Sequence, residues 1–193
     1  MRFITFCEGE PLFEILPAFK AGYYSGEYKP YFQARAAVSR ELGICLDLTS
    51  FIRTPSVGSC CLTKDDCVAF ALEVCPKKGG MLTGVFNAEG KSCFTGIGGV
   101  VAYGISEEIS ARVYSGDDEQ GWYFGVRCII SPETITKACG CFPRYGDIIR
   151  ANFYTLKTDG YFGSVLPIRE TSVESRANTG EFVIGGISYP PSD

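Results

Sequence analysis

Histidine is absent from all 193 residues. Without an imidazole there is no Ser-His-Asp triad, no Cys-His pair and no HExxH zinc site. Catalysis in such a chain would have to use carboxylates, a lysine, a tyrosine or a thiolate. Tryptophan occurs once. No apolar run approaches the roughly 20 residues that a membrane-spanning helix needs. Basic residues are also scarce: 18 Lys and Arg against 22 Asp and Glu give a net charge of −4. That balance lacks the footprint of a nucleic-acid binder, so neither nucleic acid nor a membrane is expected as a partner. The first residues carry one Arg and a short apolar run broken by Glu8 and Glu10, without a small-residue cleavage site. They do not read as a signal peptide, and the expectation is a cytoplasmic chain with reduced thiols.

What is present describes a globular chain, with 46% apolar and 21% charged residues. Its length suits a single domain over residues 1–193, with residues 1–27 as an extension or edge strand. There are ten cysteines. Cys60 and Cys61 are adjacent, Cys139 and Cys141 are two apart, and CxxC knuckles are missing. Cys67 and Cys75 flank an apolar segment and read as small buried hydrophobes. No metal and no cofactor is expected, and the sequence fixes no oligomeric state.

Period-two segments recur between Gly, Asp and Ser turns, the pattern of many short strands. Residues 1–6 read as a strand and 11–26 as irregular. Phe32, Ala34, Ala36 and Val38 share one face. After the polar turn Ser39-Arg40-Glu41, the residues Ile44, Leu46 and Leu48 return on one face, as in a hairpin. Residues 67–75 are apolar on both faces, as in a central strand. Further strands are expected over 81–87, from 92 to 95, and over 109–114, 122–130, 147–156 and 180–184. The acidic stretch 116–121 reads as a solvated hairpin tip. Ser131-Pro132-Glu133 reads as the cap, first position and first-turn acid of a helix ending near Cys139. The fold class is therefore all-β: a two-sheet antiparallel β-sandwich, jelly-roll-like, with one or two short helical turns.

An ordered set of short motifs runs along the chain. It comprises Tyr28-Lys29-Pro30, Phe51-Ile52-Arg53, Asp65-Asp66-Cys67-Val68-Ala69-Phe70, Phe86-Asn87-Ala88-Glu89-Gly90, Gly121-Trp122-Tyr123-Phe124 and Ile129-Ile130-Ser131-Pro132. The clearest is Gly146-Asp147-Ile148-Ile149-Arg150-Ala151-Asn152-Phe153-Tyr154. Over residues 28–184 this set resembles the carbohydrate-binding module family 9-like proteins, β-sandwich domains found on xylanases and as stand-alone bacterial proteins. The resemblance implies non-catalytic saccharide binding, with rings stacked on the apolar face of a pyranose and polar groups reading its hydroxyls. The family's sugar clamp is a pair of Trp. Here Val165 stands near the position of a Trp that precedes a Pro, and Val173-Glu174 near a Phe-His pair.

Seven residues are candidates for sugar contact. Arg53 is a forked donor, or alternatively the salt-bridge partner of Asp65 or Asp66. Asn87 is a sugar contact or a turn former. Arg150, Asn152 and Tyr154 share one face of a strand, either as a ligand platform or as a solvated face. Tyr161 and Phe162 lie in a glycine-flanked loop, either as stacking groups or as a plug over the sandwich end. Trp122 alternates with Phe124 and Val126 and reads as core. Two further readings stand beside saccharide binding. One is a structural or protein-interaction sandwich with a degenerate sugar site. The other is a carboxylate-dependent glycoside-active enzyme, for which Asp66 and Glu73 point to opposite strand faces.

Overall fold

The computed structural model describes residues 1–53, 56–59, 61–97, 109–119 and 121–186. Its strands are β1 (Phe3–Cys7), β2 (Phe19–Lys20), β3 (Tyr23–Ser25), β4 (Tyr31–Ser39), β5 (Gly43–Phe51), β6 (Cys67–Glu73) and β7 (Met81–Asn87). They continue with β8 (Ser92–Ile97), β9 (Ile109–Asp118), β10 (Gly121–Ile130), β11 (Ile148–Lys157), β12 (Tyr161–Ser164) and β13 (Gly180–Ile184). Among the described residues one α-helix, α1 (Pro132–Cys139), lies between β10 and β11, beside a few short 3-10 turns.

The strand order is β8-β7-β6-β11-β13-β1-β4-β5-β10-β9, folded into two layers that share β1. Phe3 and Ile4 pair with β13 in the first sheet, and Thr5, Phe6 and Cys7 pair with β4 in the second. A strand that switches sheets makes a corner of a sandwich. This corrects the reading of residues 1–27 as an extension or edge: β1 sits mid-order and runs parallel to both neighbours, the exception to an otherwise antiparallel ladder. The stretch read as irregular also contains β2, which pairs with β4, and β3, which pairs with β12.

The alternation seen in the sequence fills the space between the sheets. Phe32, Ala34, Ala36 and Val38 of β4 meet Ile44, Leu46 and Leu48 of β5 in one core with Val68, Phe70 and Leu72 of β6 and Ile149, Ala151 and Phe153 of β11. Every residue of β6 is buried, because its outer face is covered as well. The expected helix forms with its Ser131 cap, whose Oγ accepts from Thr134 N–H at 3.2 Å, and it ends at Gly140. The acidic stretch is less of a tip than expected. Asp117 and Asp118 belong to β9, which pairs along its whole length with β10.

The thiol expectation also changes. Cys75 and Cys141 form a disulfide across 66 residues, with their Cα atoms 6.1 Å apart. This joins the turn after β6 to the segment after α1, so Cys75 is a cross-link rather than a lone buried hydrophobe. Cys45 and Cys67 are buried thiols, and burial pushes both up to about 12.

Candidate functional site

Five of the seven candidate side chains lie inside the fold. Asn87 is fully buried. Its Nδ2 donates to Asp65 Oδ2 at 2.8 Å, and its Oδ1 accepts from the N–H groups of Glu89 and Lys91, which closes the β7–β8 turn. Arg150 donates to the carbonyls of Arg176 and Thr179 and lies 3.6 Å from Glu73 Oε2. Asn152 has no solvent exposure. Its Oδ1 accepts from the N–H groups of Phe153 (2.8 Å) and Leu166 (3.1 Å), and its Nδ2 donates to the Asn178 carbonyl at 2.8 Å. Tyr154 and Phe162 pack against each other with centroids 5.3 Å apart, in a second apolar cluster with Val173. On the face that carries Arg150, Asn152 and Tyr154, the last two are thus closed to solvent and to a ligand, and Arg150 is partly covered. The connection from β12 to β13 crosses it, pinned by Asn178, whose side chain bonds the backbone of Arg169, Glu170 and Ser172.

Tyr161 and Phe162 were expected in a loop. They form β12 instead, paired to β11 and β3. Tyr161 is buried and its Oη donates to Asp66 Oδ1 at 2.9 Å; burial first, then the Asp66 charge, raises this phenol above its ordinary range. Asp66 also accepts from Ser56 N–H at 2.6 Å, and Asp65 accepts from Ser59 N–H at 2.9 Å. Both carboxylates anchor the chain before β6, and Arg53 pairs with neither.

Arg53 is exposed, and Arg150 keeps about a third of its side chain in solvent while tied to Glu73 and to backbone carbonyls. Arg53 lines a cleft of about 600 Å³ at one end of the second sheet, together with Glu27, Tyr28, Lys29, Tyr31, Phe51 and Trp122. Tyr28 Oη accepts from the Arg53 N–H at 3.0 Å, and the Tyr28 ring meets Tyr161 edge-on at 5.3 Å. So Tyr161 supports the cleft from behind. Trp122 packs partly on the core and also lines the cleft.

The cleft continues onto the outer face of the second sheet, which sequence reading missed. Tyr31, Phe51 and Tyr123 are direct cross-strand partners on β4, β5 and β10, with successive centroids 5.5 Å and 5.2 Å apart. One step along the strands, Gln33, Thr49, Gly125 and Tyr114 align. Tyr114 crosses from β9 over Gly125, where a Cβ would collide with its ring, and its Oη donates to Asp47 Oδ1 and lies 2.8 Å from Thr49 Oγ1. Tyr123 crosses the other way, its Oη 2.5 Å from where a Cβ on Gly116 would sit. Each ring lies over a glycine and remains partly exposed. The signal for Tyr31 and Phe51 was available: they are equidistant from the β4–β5 turn. Tyr114 and Tyr123 depend on which strand lies next to which.

No protein-family model and no curated protein matches this sequence. Solved structures do match in three dimensions. A family 9 carbohydrate-binding module (CBM9) from Caldicellulosiruptor kristjanssonii in complex with glucose superposes over 100% of both chains, with a TM-score of 0.71 at 10% identity. The same organism's CBM9 in complex with cellotriose gives 0.67 at 11% identity, again over 100% of both chains. A Bacteroides uniformis protein provisionally assigned to carbohydrate binding gives 0.66 at 14% identity, over 95% of this chain and 98% of its own. The chain therefore has a CBM9-like β-sandwich fold, as the ordered motifs implied.

Proposed function

We propose that this chain, a sandwich with the fold of the family 9 carbohydrate-binding modules, binds a saccharide and does not act on it chemically. The observation that carries the reading is the cleft at the end of the second sheet, where Tyr28, Tyr31, Phe51 and Trp122 converge with Arg53 and Lys29. A sugar ring offers apolar C–H faces and a polar rim, so its site must supply aromatic area and hydrogen-bond donors together. The neighbours' complexes with glucose and cellotriose support saccharide as the ligand class.

The absence of catalysis is argued from the carboxylates. Glycoside hydrolysis canonically uses two, about 5 to 9.5 Å apart. The residues lining the cleft include one, Glu27. Asp65, Asp66 and Glu73 are buried in bonds to the chain itself.

The test is calorimetric titration of the protein with a panel of mono- and oligosaccharides that includes glucose and cellotriose. Saturable binding to at least one of them is expected, weakened about tenfold or more by Arg53→Ala, as loss of a charged hydrogen bond worth about 1.5–3 kcal/mol implies, and about three- to tenfold by Phe51→Ala, as loss of an aromatic contact worth about 0.5–1.5 kcal/mol implies. If no sugar in the panel is bound, the reading falls, and the protein-interaction sandwich takes its place.

A further inference from the structure

Beside the cleft, the outer face of the second sheet carries a row of charge that the fold alone does not explain. Across β4, β5, β10 and β9 the register aligns Arg35, Asp47, Arg127 and Arg112. Arg127 and Arg112 are direct cross-strand partners, and like charges so placed cost stability. Arg127 is offset from within the chain. Its Nη2 donates to Glu14 Oε1 at 2.9 Å, and its Nε lies 3.6 Å from Asp47 Oδ2. Arg112 is exposed, and no carboxylate among the described residues lies within ion-pair distance of it. Arg35 is mostly buried, with no carboxylate among them within ion-pair distance although the Glu14 charge reaches it, and its Nε is buried without an acceptor.

The charge continues toward the cleft. Lys20 sits with its Nζ 5.6 Å from the Tyr31 ring centroid, and Lys29 and Arg53 lie on the cleft wall. Opposing carboxylates lie nearby as well: Glu27 on that wall, Asp118 and Glu119 at the β9–β10 turn, and Glu10, whose charge reaches Cys45 of β5. The arginine row itself is cationic, three guanidiniums against Asp47 and Glu14, in a chain whose net charge is −4. Between the arginine row and the aromatic row lie Gln33, Thr49 and the Tyr114 ring, flat over Gly125. Rows on one face are about 7 Å apart along antiparallel strands, which leaves room for more than one sugar ring from the aromatic row to the arginines.

We infer that the saccharide is acidic: a uronate-bearing oligosaccharide that runs from the cleft across this face, its rings on the flattened tyrosines and a carboxylate in the fork of Arg112 or Arg35. The inference deepens the function proposed above and rests on it. A guanidinium presents paired N–H donors that match a carboxylate bidentately, and a tyrosine laid flat presents a stacking surface to a pyranose. A purely electrostatic site for an acidic peptide would have no use for two rings laid over glycines.

The test is titration with trigalacturonate and with cellotriose in parallel, at low salt and at about 1 M salt, where the Debye length shrinks to about 3 Å. Trigalacturonate is expected to bind at least about tenfold tighter at low salt, with the preference shrinking at high salt. Arg112→Gln alters an exposed side chain and leaves the fold alone. It should remove about tenfold of trigalacturonate affinity and leave cellotriose affinity unchanged. Cellotriose binding as tightly as trigalacturonate overturns the inference while the saccharide function stands. An acidic preference that survives both Arg112→Gln and Arg35→Gln overturns the assignment to this face. A glutamate-rich peptide of equal charge binding as tightly as trigalacturonate overturns the sugar specificity. Binding of neither saccharide brings down the function itself.

Discussion

Asn152 is read from the sequence as a sugar ligand and becomes, in the fold, an anchor for backbone. Its carboxamide satisfies the Leu166 N–H, the Phe153 N–H and the Asn178 carbonyl, all away from water. Asn152→Ala leaves these groups without partners, and a stranded buried polar group costs about 1–3 kcal/mol. The variant is expected to lose about 2–4 kcal/mol in urea unfolding, since more than one group is stranded. A loss within about 0.5 kcal/mol, the usual range for a surface substitution, would mean that the chain crossing the first sheet is not held there. Alternation correctly placed Arg150, Asn152 and Tyr154 opposite Ile149, Ala151 and Phe153. What the outer side faces is a matter of where residues 165–179 travel, and that is not a local property.

Hairpins are where element-scale reading went furthest. The β4–β5 turn was legible, and its symmetry fixes Tyr31 opposite Phe51. The strand order beyond it is carried by contacts distant in sequence, so the placing of Tyr114 over Gly125 was not. That placement yields a prediction. A methyl group on Gly125 would occupy the space of the Tyr114 ring and pull its hydroxyl from Asp47 and Thr49. Gly125→Ala is therefore expected to destabilise by about 1–3 kcal/mol, as overpacking does, measured by urea midpoint. Tyr114→Ala in the same background should recover part of the loss by vacating the space. No recovery would show that the ring does not lie over that glycine. β2, β3 and β12 were misread for a related reason: a short strand next to glycines carries a weak periodic signal, and its pairing partners decide whether it is a strand.

For the molecule as a whole, the Cys75–Cys141 cross-link closes a long stretch of chain that includes β7, β8, β9, β10 and α1. The chain-entropy estimate for a loop of that size is about 4 kcal/mol, set by what the bond removes from the unfolded ensemble. Unfolding of the protein with and without reductant should differ by an amount of that order, with Cys75→Ser/Cys141→Ser matching the reduced form. Equal stability in both states would show that the bond contributes nothing. By itself the sequence determined the β class, the inward faces of β4, β5, β6, β10 and β11, the capped helix and the resemblance to family 9 modules, because each is written in local alternation, capping chemistry or motif order. The tertiary structure alone decided which polar residues were available to a ligand. Burial of an outward face, the partner of a cysteine and the meeting of four strands' side chains in one row all depend on segments far apart in the chain, brought together when the two sheets close on a common core.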